Sequence, residues 1–141
     1  MNILDTLRIS ASGMGAQRVR MQAISSNIAN ARSTSSLQDG EPYRRHMPVF
    51  KSVVHDPFGS QLDRNLSRVE VVDIEKSQAP FRQVFDPSHP DADEEGYVRY
   101  PNVDILYEMV DMMTTSRSYE ANTSAVETTY QMANLALELV K

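Results

Sequence analysis

Hydrophobic positions recur at a helical period at both ends of the chain and change period in between. Over residues 2–30, steps of three and four visit Leu4, Leu7, Ala11, Met14, Arg18, Met21, Ser25 and Ile28, six of the eight apolar. That spacing predicts an amphipathic helix, with Asn2 as its cap and Asp5 near the positive end of its dipole. Ser25, Ser26, Asn27 and Asn30 thin the pattern, and the Ser/Thr-rich stretch from Ala31 to Gly40 predicts a loop. The carboxamides of Asn27 and Asn30 suit the backbone groups left open where a helix ends.

The last forty residues carry the strongest periodic signal. A heptad runs Ile105, Met109, Met112, Ser116, Tyr119, Thr123, Val126, Tyr130, Ala133, Leu137 and Val140, nine of the eleven apolar, with no proline or glycine after Pro101. A sustained 3.5-residue repeat predicts one long coiled-coil helix, with Asn102 as its N-cap and Asp104 and Glu108 in its first turns. Leu106, Val110, Met113, Ala121, Ala125, Met132, Leu135 and Leu139 widen the stripe, so this helix is expected to meet more than one neighbour.

Between the helices, 47–54 and 67–75 are rich in β-branched residues, and 81–85 and 97–100 are shorter strand candidates punctuated by proline and glycine. They predict a small antiparallel β element with irregular loops. The expected fold is therefore mostly α with a small β element, the long terminal helices pairing as a coiled coil. Three segments follow: 1–32, 33–101 and 102–141, the first and last forming one structural unit.

Charge and helix propensity sharpen the picture. Residues 1–32 hold Arg8, Arg18, Arg20 and Arg32 against Asp5, whereas 104–141 hold six acids against Arg117 and Lys141. Opposite charge favours pairing of the two helices and disfavours self-pairing of either. Gly13 and Gly15 in the first helix cost about 1 kcal/mol each, and the many Ser and Thr of the second cost several tenths each. Neither helix should be stable alone, so packing must hold them.

Composition excludes several functions. The net charge of −5 lacks the basic footprint of a nucleic-acid binder, and Tyr43-Arg44-Arg45 is the one basic-aromatic cluster, read as a solvated turn or a protein contact. The absence of cysteine removes thiol catalysis and cysteine-ligated metals. No apolar run reaches the ~20 residues that span a bilayer, so no membrane insertion is expected. Asp5 and Arg8 interrupt the place where a cleaved signal peptide needs its apolar stretch. Asp91-x-Asp93-x-Glu95-Gly96 imitates the start of a calcium loop, but its twelfth position is Asn102 rather than a bidentate Glu. His46, His55 and His89 form no ligand spacing, and no nucleophile elbow or phosphate loop occurs. No catalytic residue, metal or cofactor is expected.

Ser12-Gly-Met-Gly-Ala-Gln-Arg-Val-Arg-Met21, followed by Ser25-Ser-Asn-Ile-Ala-Asn-Ala31, resembles the N-terminal signature of flagellar axial proteins. Gly40-Glu-Pro-Tyr-Arg-Arg45, the run Asp86–Val103, Glu108–Met112 and Arg117–Asn122 resemble the proximal rod family within that group. The resemblance covers most of the chain outside residues 55–66. It implies a structural subunit of the bacterial flagellar basal-body rod, polymerising through its terminal helices into a shaft that carries torque from motor to hook. It also implies export by the flagellar type III apparatus without a cleaved signal. The partners implied are further copies, other rod proteins, the MS-ring and export-gate region and the hook-side rod subunits. The assembly interface is expected at Leu4, Leu7, Ala11, Met14, Met21, Asn27, Ile28 and Asn30 on the first helix. On the second it is expected at Ile105, Met109, Met112, Tyr119, Val126, Tyr130 and Leu137. The alternatives are another small axial subunit or a soluble coiled-coil adaptor.

Overall fold

The computed structural model describes residues 3–34, 41–54 and 66–139. Two helices dominate: α1, Ile3–Asn30, of 28 residues, and α2, Ile105–Glu138, of 34 residues. At 1.5 Å per residue they are about 42 and 51 Å long. They pack against each other, antiparallel. Stepping 14 residues back along α1, from Asn27 to Gly13, moves the contact 14 residues forward on α2, from Glu108 to Asn122.

The face of α2 turned to α1 is not centred on the apolar stripe. It carries Glu108, Thr115, Asn122 and Thr129, seven residues apart, all buried except the half-buried Asn122. Each precedes by one residue a member of the heptad: Met109, Ser116, Thr123 and Tyr130. The inward seam is thus turned toward the line from Glu108 to Thr129 and away from Met109 and Tyr130, while Ile105, Met112 and Val126 stay half-buried at its edge. The cause is steric. Across the seam α1 presents Gly13, Ala16, Ala23 and Asn27, and a Cβ on Gly13 would stand 3.1 Å from the Asn122 carboxamide nitrogen. Axes this close favour small side chains at the centre of the contact, and Met14 lies beside it, its sulfur accepting from Thr123 Oγ1 at 3.6 Å. Buried threonines are tolerated because Thr115 donates to Asp111 O and Thr129 to Ala125 O, each at 2.7 Å, so neither hydroxyl is orphaned.

The cap of α2 also differs from expectation. Asp104 is the N-cap, its Oδ1 accepting from the N–H groups of Leu106 at 2.9 Å and Tyr107 at 3.4 Å. Asn102 is committed elsewhere: its Oδ1 accepts from Arg45 N–H at 2.9 Å, and its Nδ2 donates to Ala79 O at 3.0 Å. It ties the start of the middle segment to the approach of α2. At the other helix, Asn30 donates to Ser26 O at 2.9 Å, a helix-end role. Asn2 and Val140 lie outside the described residues.

Among the described residues, the middle segment holds two separate two-stranded antiparallel sheets. In the first, β1 (His46–Val54) pairs with β2 (Ser67–Lys76), with a bulge between Val49 and Phe50. A two-stranded ribbon is marginal alone. This one rests on α1, where Ser12 Oγ accepts from Val69 N–H at 3.2 Å. In the second sheet, β3 (Arg82–Phe85) pairs with β4 (Tyr97–Tyr100) around the fully buried Val98. The acidic run between them makes a turn: Asp93 Oδ1 accepts from Glu95 N–H at 3.1 Å and Tyr97 N–H at 2.8 Å. Gly96 sits at φ 82°, and a Cβ there would meet the Phe85 ring at 3.0 Å, so no other residue fits without strain.

Candidate assembly surface and the polar junction beneath it

With this seam turned inward, α2 leaves most of its large side chains outside. Leu106, Met109, Val110 and Met113 form an exposed cluster near its start. Tyr130, Met132, Leu135, Leu137 and Leu139 form a second at its end, with Leu106 75% and Leu139 89% exposed. The α1–α2 offset puts Ile3 level with Met132, so the final turns of α2 project past α1. Between the clusters the exposed face is polar, through Arg117, Glu120, Ser124 and Glu127. Concentrated apolar exposure of this kind marks a surface that another protein covers.

The anticipated interface residues separate into three groups. Leu4, Ala11, Met109, Tyr119, Tyr130 and Leu137 are exposed. Leu7, Met14, Met21, Ile28, Asn30, Ile105, Met112 and Val126 are half-buried, Val126 on the side it shares with Asn122 and Thr129. Asn27 is 1% exposed and spent on contacts within the chain.

Asn27 is the centre of a polar junction that fixes the two helices to β1. Its amide pairs with the backbone of His46 as a strand neighbour would, Oδ1 accepting from His46 N–H at 2.8 Å and Nδ2 donating to His46 O at 3.0 Å. The same Nδ2 donates to Glu108 Oε2 at 3.0 Å. Glu108, itself 1% exposed, accepts from Arg45 Nε through its other oxygen, while Arg45 Nη2 lies 3.5 Å from Asp111 Oδ2. The buried carboxylate is thereby paired and hydrogen-bonded on both oxygens, as burial of a charge requires.

Tyr43 closes the junction, its hydroxyl 2.7 Å from His46 Nδ1 and 2.9 Å from Asn27 Oδ1. Burial pushes the Tyr43 phenol above its ordinary value; the Ser26 hydroxyl pulls the other way and the Glu108 charge adds to the rise. Burial, then the Lys76 charge, holds His46 below the ordinary imidazole value. A neutral imidazole donating from Nδ1 to the phenol oxygen leaves the phenol proton for Asn27 Oδ1, so every partner is served. No local spacing announces this junction, because 81 residues separate Asn27 from Glu108, and Tyr43-Arg44-Arg45 reads as a solvated turn or a protein contact. Among the described residues, no group of three His, Asp or Glu is placed to hold a metal ion.

Comparison with known proteins decides what kind of chain carries this surface. The family model for the flagellar basal body rod protein matches residues 7–35, and that for the C-terminal region of flagellar basal body rod FlgEFG proteins matches residues 94–139. These matches cover most of α1 and all of α2. The flagellar basal-body rod protein FlgC of Bacillus subtilis is 44% identical over 151 aligned positions, covering all of both chains. The FlgC proteins of Aquifex aeolicus and Borreliella burgdorferi are 43% and 38% identical, each over the whole of this chain and 99% of the relative.

The chain belongs to the FlgC family of flagellar basal-body rod proteins.

In this FlgC chain both family-model matches fall on the helices that pair, whereas residues 36–93, which neither spans, are aligned in the full-length FlgC relatives. FlgC membership assigns the chain to the flagellar basal body as a structural rod component. Among the described residues, no helix is long and apolar enough to cross a membrane.

Proposed function

We propose that the chain is a non-catalytic subunit of the proximal rod, assembled through α1 and α2 into the shaft that carries torque from the flagellar motor to the hook. The observation that carries this is the exposed apolar surface of α2, from Leu106 to Met113 and from Tyr130 to Leu139, which nothing among the described residues covers. Burying such side chains against neighbours releases about 25 cal/mol per Å² of apolar area. A shaft built from interlocked helices resists twist because many packed side chains must separate at once. Its neighbours are further copies and other rod proteins, from the MS-ring and export-gate region to the hook-side subunits. The working location is the periplasmic rod, reached through the flagellar type III apparatus without a cleaved signal peptide. Helices of low propensity suit such export, since little stability is lost when they are threaded unfolded.

Replacing both Leu106 and Val110 by Asp tests the proposal. Both side chains point away from α1, so the monomer keeps its helical content while rod assembly and motility are lost. A motile strain carrying this double variant would overturn it.

A further inference from the structure

The outer faces of the two helices differ in charge, and the difference specifies how copies meet. Along α1 the residues turned away from the body are Arg8, Ala11, Gly15, Arg18 and Gln22, with Arg8 and Arg18 the charges in this line. Along α2 the exposed charges are Glu120, Glu127 and Glu138 against Arg117. None of these six charged groups has an ion-pair or hydrogen-bond partner among the described residues. Arg8 and Arg18 are ten residues apart and Glu127 and Glu138 eleven, so along a helix the spans are about 15 and 16.5 Å and match.

Gly15 adds an independent observation. A Cβ built there meets nothing within 4 Å, in contrast to Gly13, whose Cβ would crowd Asn122. A glycine in a helix interior costs about 1 kcal/mol against alanine, and at Gly15 nothing among the described residues requires it. A neighbouring copy packed closely on this face would require it.

We propose that the basic outer face of α1 around Gly15 docks on the acidic outer face of α2 in a second copy of this chain. This contact deepens the assembly reading above and rests on it. Each face repels its own kind, so two copies do not join through identical patches. The contact is heterologous, and because the two faces lie on opposite sides of the helix pair, each docked copy presents a fresh face to the next. It therefore propagates as a ring or a helical array, as a rod requires.

Charge reversal tests the pairing by sedimentation velocity of the purified full-length chain, with circular dichroism confirming the fold of each variant. The wild type associates. Arg8→Glu/Arg18→Glu alone, and Glu127→Arg/Glu138→Arg alone, each associate about tenfold more weakly or worse. Mixed one to one, the two variants recover wild-type association, because the reversed α1 of one meets the reversed α2 of the other. If the wild type associates and the mixture does not recover, or if either variant associates like wild type, the face pairing is wrong while assembly through the helices stands. If the wild type does not associate at any concentration, both fall.

Discussion

Asn27 reaches across 81 residues of sequence to donate its carboxamide proton to Glu108, and through that bond the end of α1 is locked to the start of α2. Both side chains are 1% exposed, and Arg45 and the His46 backbone complete their hydrogen bonding. Removing either one therefore orphans buried groups rather than merely deleting a contact. Asn27→Ala should destabilise the monomer by about 1–3 kcal/mol, the cost of leaving buried donors and acceptors unmet. Glu108→Ala should cost about 2–4 kcal/mol, below the full figure for a broken buried pair because Arg45 is partly exposed and can be hydrated. Urea unfolding midpoints of the purified chain measure both.

The same junction sets a pH dependence. His46 is held below its ordinary value, so the unfolded chain binds a proton that the folded chain resists. Stability contributed by the neutral imidazole is fully present above the unfolded value of about 6.5 and declines as pH falls below it. The melting temperature should drop between pH 7 and pH 5, and His46→Gln should flatten that slope. An unchanged slope in the variant would assign the dependence to other groups.

Gly15 and Gly13 should respond in opposite senses. Gly15→Ala removes a helix-weakening residue where the added methyl meets nothing, so the monomer gains about 0.4–1 kcal/mol while assembly weakens. Gly13→Ala must displace the Asn122 side chain and should gain less or lose. Thermal melts beside a swarming assay separate the two effects: a more stable monomer in less motile cells places the Gly15 requirement outside the monomer.

At the start of α2, Asp104→Ala should cost about 1 kcal/mol through loss of the cap, read from the melting temperature.

How much of this was legible in the sequence follows from what kind of signal each feature leaves. Strands and helices leave periodic ones, and the expected 67–75 and 97–100 correspond to Ser67–Lys76 and Tyr97–Tyr100. The cap is expected at Asn102 and found at Asp104 because both residues suit the role, and only the demand of Arg45 N–H and Ala79 O on Asn102 decides between them. The heptad through Met109 and Tyr130 showed which side of α2 is apolar, but not that α1 would take the side one residue earlier. That choice depends on the closeness permitted by Gly13, Ala16 and Ala23, a property of two helices together. The buried junction left no trace, since Asn27, Arg45 and Glu108 are each ordinary polar residues until the fold collects them. His55 and residues 56–65 lie outside the described residues.

The most direct test of the central claim is hydroxyl-radical footprinting of the methionines, comparing the purified monomer with intact basal bodies. Met109, Met113 and Met132 are 52%, 60% and 55% exposed on the outer surface of α2, and methionine oxidation follows solvent access. The assembly account predicts that all three oxidise readily in the monomer and become protected in the rod. Equal oxidation in both states would show that this surface stays bare, and would contradict assembly through α2.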